Sequence, residues 1–92
     1  MRLSIVIPVL NEVDGIERFL SSLQSLRRQG HEVIVADGGS NDGTAQRAAS
    51  LADHVIQSPR GRAAQMNAGA ALARREVLFF LHADCHLPSD SA

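Results

Sequence analysis

The stretch EVIVADGGSNDGT, residues 32–44, decides the fold. Its core, Val33 to Ala36, is apolar on both faces, the pattern of a strand covered on two sides in a parallel sheet. Asp37 ends that run, and the following GGSNDG is too rich in glycine for regular structure. A helix is then predicted to start near Asp42 to Thr44 and to use Ala45, Ala48, Ala49 and Leu51 as a flat face for close packing. Strand, glycine loop and helix in that order are one step of an α/β unit.

Outward from that step the pattern repeats. LSIVIPV, residues 3–9, has the same two-faced apolar character, with Pro8 expected to mark its end. Ile16, Phe19, Leu20, Leu23 and Leu26 fall at helical spacing, with Asp14 as N-cap and Gly30 as the stop after Arg27 and Arg28. On the other side, HVIQ at residues 54–57 reads as a short strand before the Ser58-Pro59-Arg60-Gly61 turn. A third helix of small residues, about 62–75, leads into EVLFFLH at residues 76–82. The order β-α-β-α-β-α-β predicts an α/β fold, a mainly parallel sheet with right-handed crossovers and helices on both faces. Open sheets of this kind bind ligands beyond the carboxyl ends of their strands.

Composition narrows the function classes. The 92 residues form one domain at most, residues 1–92, and a domain of that size buries only about two thirds of the surface its unfolded chain exposes. Apolar content of 45% with 21% charge argues against disorder. Nine arginines scattered among ten acids, for a net charge of −1, leave no broad basic surface for nucleic acid, although a local anion site stays open. No apolar run reaches the length of a membrane span, and Met1-Arg2 lead straight into a strand, so the expected compartment is the cytoplasm. Cys85 has no second cysteine to pair with and reads as a small filler. Phe19, Phe79 and Phe80 are the only aromatic residues, too few to predict a sugar-stacking platform within the chain.

Chemistry-bearing residues gather at the strand ends: Asn11 and Glu12 after the first, Asp37 to Gly43 after the second, and His82, Asp84 and His86 after the last. A parallel sheet places these ends on one edge, where a glycine loop lets backbone N–H groups approach an anion or nucleotide. Each group also has a plainer role. Asn11 and Glu12 either shape a turn or line a site, Asp37 either caps its loop or meets a ligand, and Arg60 and Arg62 are either solvated or anion-facing. Asn67 is a mild helix defect that points to water or meets a ligand or loop. His31 and His54 read as structural.

Taken together, SIVIPVLNE, EVIVADGGSNDGT, GRAAQMNAGAALAR and VLFFLHADC resemble the successive N-terminal motifs of family 2 glycosyltransferases, enzymes of the GT-A fold. Within that family ADGGSNDGT, PRGRAAQMNAGA and FLHAD are most similar to the subgroup associated with arsenosugar biosynthesis. The resemblance implies the Rossmann-like, nucleotide-sugar-binding half of an inverting transferase. Pro8, Val9 and Glu12 would border the base and ribose, Asp37 would bond the base, and Gly39, Ser40 and Asp42 would shape the adjacent loop. Arg62 and Asn67 match a segment at the nucleotide site. His82-Ala83-Asp84 stands where the family has Asp-x-Asp, so Asp84 would hold Mg²⁺ or Mn²⁺ against the diphosphate of a nucleoside diphosphate sugar, a UDP-sugar first.

Two departures follow from the same resemblance. His82 replaces the first aspartate, which leaves it as a bond to ribose or phosphate, a nitrogen ligand or packing. The chain reaches Ala92 without the acceptor-binding half and its carboxylate base, so turnover by these residues alone is not expected. VLFFL should be an interior strand of the complete fold, which predicts homo-oligomerisation or strand exchange. Two other classes compete: a nucleotide- or metal-binding module that acts through a partner, and a methyltransferase read from Asp37-x-Gly39-x-Asn41-x-Gly43. The latter lacks the acidic residue expected after its next strand, where this chain has HVIQS.

Overall fold

A computed structural model describes residues 2–79 of the chain, and the side chains of residues 2–77. The elements in order are β1 (Leu3–Val9), α1 (Val13–Ser21), α2 (Gln24–Arg28), β2 (Glu32–Asp37), α3 (Thr44–Ala48), β3 (His54–Gln57), α4 (Arg62–Leu72) and β4 (Glu76–Phe79). They build a four-stranded sheet in the order β3-β2-β1-β4 with every pairing parallel. The register sets Val9 opposite Asp37 and Asp37 opposite Gln57, so three strands end together at one edge.

Alternation along the strands divides the apolar residues between two layers. Ile5, Ile7 and Val9 of β1 and Val33 and Val35 of β2 pack with Ile16 and Leu20 of α1, Leu23, and Ala48 and Ala52 around α3. Val6, Ile34 and Ala36 have the opposite parity and are fully buried on the other face, where α4 lies. Burying each such aliphatic side chain contributes about 1.5–3 kcal/mol, which explains why both faces of β1 and β2 are apolar. The predicted α/β fold with helices on both faces is thus observed.

Three local expectations are corrected. Pro8 does not end β1; it pairs in register with Ala36, and the strand runs one residue further to Val9. The single helix expected from Asp14 to Gly30 is two helices, with Glu12 rather than Asp14 at the N-cap position and Asp14 in the first turn. Its break at Ser22-Leu23 follows from competition for carbonyls. Ser22 Oγ donates to Phe19 O, Leu23 N–H donates to Leu20 O at 3.0 Å, and Gln24 Nε2 donates to Leu20 O and Leu51 O at 2.9 and 2.8 Å. The α2 end is as expected: Gly30, at φ +96°, donates to Arg27 O while His31 N–H reaches Leu26 O, a Schellman closure. Lastly, α3 is one short turn that buries Thr44 and Ala48, with Ala49 exposed, so the four-residue flat face is not formed. The chain then returns to the sheet through Asp53, whose N–H donates to Val33 O and whose carboxylate accepts Val33 N–H.

The amino ends of the strands are joined by a buried carboxylate. Glu32 accepts Ser4 Oγ at 2.6 Å and Arg74 N–H at 3.3 Å, faces His54 Nε2 at 3.3 Å, and is 7% exposed. Burial alone raises its pKa, but the Ser4 and Arg74 hydrogen bonds and the charges of His54 and Arg75 outweigh burial and hold it below the ordinary value of 4.5. A carboxylate lowered in the folded state stabilises the fold above its unfolded pKa and loses that contribution as pH falls through the folded value. Glu32→Gln is therefore expected to flatten the fall in stability below about pH 4.5, read as urea midpoints across pH 3–7. An unchanged acid limb would refute this linkage.

Gly69 shows how closely α4 approaches the sheet. A β-carbon there would lie 2.4 Å from Val6 Cγ1, on a stiff, fully buried β-branched side chain. Gly69→Ala is expected to destabilise by about 1–3 kcal/mol despite alanine's better helix propensity, because overpacking outweighs it. Gly15→Ala, with nothing within 4 Å, is expected to stabilise α1 by up to about 1 kcal/mol. Thermal melts of the two variants test the contrast.

Candidate functional site

The carboxyl edge of the sheet brings together the loop after β1 and the loop after β2. Asp37, fully buried at the end of β2, accepts the N–H groups of Gly39 and Ser40 on Oδ1 at 3.1 and 2.9 Å, while Gln57 Nε2 reaches Oδ2 from β3 at 3.3 Å. The loop it shapes needs left-handed backbone at Gly39 (φ +101°) and Gly43 (φ +95°), which glycine adopts at little cost.

This loop is clasped to residues 10–13. Asn11 N–H donates to Ser40 Oγ at 2.8 Å, and Asn41 N–H donates to Asn11 Oδ1 at 2.9 Å, with Asn11 itself at φ +51°. Glu12 N–H donates to Thr44 Oγ1 at 2.8 Å, and Val13 N–H donates to Asp42 Oδ2 at 3.2 Å. Asp42 Oδ1 in turn accepts the N–H and hydroxyl of Thr44. The Thr44 hydroxyl is the main reason the Asp42 pKa is lowered, with the Val13 and Thr44 N–H groups adding to it against a desolvation penalty.

Loop N–H groups were expected to approach an anion or a nucleotide, and four of them have partners within the region. The N–H groups of Gly39, Ser40, Asn41 and Thr44 are all spent on side chains of this same region. With Asp37 and Asp42 as its anchors, the loop faces its surroundings as a shaped wall rather than a set of free donors.

A third element locks the edge from below. Gln65 of α4 is 5% exposed and donates through Nε2 to Val9 O and Ala36 O, both at 2.9 Å. Its carboxamide fills the space beside Gly38, where a β-carbon would lie 2.9 Å from the amide carbon. Gly38 N–H completes the join by donating to Val9 O at 3.0 Å.

The expected site residues fall as follows. Pro8 and Val9 are buried at the end of β1, half-buried Glu12 follows with its carboxylate accepting Leu10 N–H, and Asp37, Gly39, Ser40 and Asp42 form the adjoining loop. Arg62 and Asn67 are exposed on α4, which starts after β3 at the same edge. His82 and Asp84 lie outside the described residues; β4, which precedes them, runs parallel to β1 towards this edge. Among the described residues no group of three or more His, Cys, Asp or Glu side chains is placed to hold a metal. Gln65 and Thr44 are site-building residues that no sequence motif marked, while Asn11, read as shaping a turn or lining a site, bonds both ways across the clasp. Gln65 and Gly69, four apart in an alanine-rich helix, were the available signal that this face is buried against something polar.

A parallel sheet with its loops gathered at one edge in this way is an open α/β arrangement, and comparison with solved structures matches it to the GT-A-like fold. Mannosyl-3-phosphoglycerate synthase from Rubrobacter xylanophilus superposes with a TM-score of 0.80 at 24% identity, covering 97% of this chain and 33% of that one. TarS of S. aureus superposes at 0.73 with 26% identity, covering 91% and 17%. Residues 4–91 match the Glycosyl transferase family 2 model, and the chain belongs to that family. Similar relatives include the glycosyltransferase AglE of Haloferax volcanii, 32% identical over 91 residues, which are 89% of this chain and 30% of the relative. The undecaprenyl-phosphate 4-deoxy-4-formamido-L-arabinose transferase of Pseudomonas fluorescens is 32% identical over 98 residues, 95% of this chain and 29% of the relative. The chain thus spans about 30% of the length of these relatives.

Gln65→Leu keeps the bulk but removes the side-chain bonds to Val9 O and Ala36 O, at an expected cost of about 0.5–1.5 kcal/mol. Hydrogen exchange at the Gly38–Ser40 amides should accelerate by more than at β3. Equal acceleration everywhere would show that Gln65 supports only global stability.

Proposed function

We propose that this chain is the donor-binding portion of an inverting, metal-dependent glycosyltransferase that takes a nucleoside diphosphate sugar, a UDP-sugar first. The observation that carries the reading is the Asp37–Thr44 loop clasped to residues 10–13 at the carboxyl edge of β1 and β2, in a chain matched by the family over residues 4–91. That match leaves the methyltransferase reading without support. Membership of the arsenosugar-associated subgroup is part of the proposal and rests on the wording of residues 36–44, 59–70 and 80–84.

In this reading the wall formed by Pro8, Val9, Glu12 and the Asp37-anchored loop of Gly39, Ser40 and Asp42 receives the uncharged base and ribose. A loop whose donors are consumed and whose anchors are carboxylates suits a nucleoside and repels a diphosphate. The phosphates then extend towards Arg62 and Asn67, and His82 meets ribose or phosphate. Asp84, a hard oxygen donor after β4, would hold Mg²⁺ or Mn²⁺, whose remaining ligands are water and phosphate oxygens. The ion, when bound, offsets charge on the departing nucleoside diphosphate. No residue among these is assigned as the base that deprotonates the acceptor, and association through the VLFFL strand belongs to the same proposal.

Calorimetry of the chain with UDP and Mn²⁺ tests it. Saturable UDP binding that tightens with Mn²⁺ is expected, Asp37→Ala should weaken it at least about tenfold by releasing the loop, and Asp84→Ala should remove only the Mn²⁺ dependence. Absence of binding by any nucleotide would overturn the reading.

A further inference from the structure

The amino-terminal edge of the sheet, about 20 Å from the Asp37 loop along β1, carries a second cleft. It has a volume of about 430 Å³, within the range of small-ligand sites, and is lined by Arg27, His31, Glu32, His54, Arg74 and Arg75 among others. We propose that this cleft is an oxyanion site that takes a phosphate-bearing ligand, distinct from the donor site.

Charge is the first argument. The arginines are scattered in sequence, yet the fold collects five of the nine at this edge: Arg2 before β1, Arg27 and Arg28 at the end of α2, and Arg74 and Arg75 before β4. Arg2 Nε lies 2.7 Å from where a β-carbon on Gly30 would stand, so its guanidinium covers the glycine in the cleft lining. The acids at this edge are Glu32, Asp53 and Glu76. The opposite edge instead holds Glu12, Asp14, Asp37 and Asp42. Five arginines against three acids leave an excess of positive charge at the amino-terminal edge, which attracts anions.

The hydrogen-bond balance is the second argument, and it is independent of net charge. The acceptors in the cleft are already engaged. Glu32 Oε1 accepts Ser4 Oγ and Arg74 N–H and Oε2 faces His54, while Asp53 accepts Val33 N–H on one oxygen and Arg27 Nη2 on the other. The donors are not. Among the described residues neither the Arg74 nor the Arg75 guanidinium makes a hydrogen bond or close ion pair; their backbone N–H groups bond Glu32 and Ser4, and the Arg75 charge acts on Glu32 only through space. His31 accepts Leu3 N–H on Nδ1, which leaves its proton on Nε2 as a further donor. What remains is a surplus of N–H groups in a fork geometry suited to phosphate oxygens.

Two sources share this chemistry: a free phosphate compound and the headgroup of an anionic lipid. Nitrogen-15 NMR titration of the chain with pyrophosphate is expected to give saturable shifts at Leu3, His31, Arg74 and Arg75, with Gly38–Ser40 unmoved. The double variant Arg74→Ala/Arg75→Ala, which preserves both backbone bonds, should weaken binding at least about tenfold. Asp37→Ala should leave it unchanged, which separates this site from the donor site. In a second arm the chain is floated with phosphatidylcholine vesicles with and without phosphatidylglycerol. Saturation by pyrophosphate without vesicle binding assigns a free phosphate ligand. Flotation only with anionic vesicles, lost in the double variant, assigns a headgroup. The proposal fails if neither ligand binds, or if the double variant binds as well as the parent.

Discussion

Parallel strands that stop side by side turn their last carbonyls to the same edge, and each buried carbonyl has two lone pairs that the ladder alone does not fill. The carboxyl edge of this chain is organised by how that constraint is met. Gln65 supplies one amide nitrogen to both Val9 O and Ala36 O, and Gly38 N–H adds a second bond to Val9 O. Because those bonds come from α4 and from the first loop residue, β1, β2 and the loop are held as one body. A side chain at Gly38 would have to displace the Gln65 carboxamide, and with it both of its bonds.

Much of this architecture was legible from residues, and the reasons are uneven. β1, β2 and β3 were readable because a strand covered on two faces has to be apolar on both, and LSIVIPV and EVIVAD contain little else. The α1–α2 break was not, because Leu23 and Leu26 keep helical spacing while the break comes from Gln24 reaching the Leu20 and Leu51 carbonyls. Spacing reports which face is buried and is silent about competition for backbone groups. α3 failed for a related reason: alanines have little burial to gain, so Thr44 and Ala48 alone decide its buried face.

At the site, the loop was readable and its partners were not. Glycine content and strand position placed the loop from Asp37 to Gly43 at this edge, and the resemblance to the family implied roles for Gly39, Ser40 and Asp42 within it. Their bonds run to Asn11, Glu12 and Val13, about 30 residues away in sequence, and such pairings appear only once β1 and β2 are side by side. Gln65 is 56 residues from Val9 and 29 from Ala36, whose carbonyls it bonds. The arginines at the opposite edge are the same case in electrostatic form, being evenly spread along the chain and clustered only by the parallel topology.

The two buried carboxylates of β2 show why the ends of the sheet serve different chemistry. Glu32 and Asp37 begin and end one strand, and each is satisfied from neighbouring elements. At the Asp37 end the backbone donors are consumed by side chains, so negative charge accumulates on a wall with no N–H groups to spare at Gly39, Ser40, Asn41 or Thr44. A glycine loop that cradled phosphates would need those same groups free. Any phosphate bound near this wall must therefore be neutralised from elsewhere, by cationic side chains such as Arg62 or by a metal ion. In the proposed reading, charge on the phosphates would thus be offset by an external cation rather than by these four loop donors.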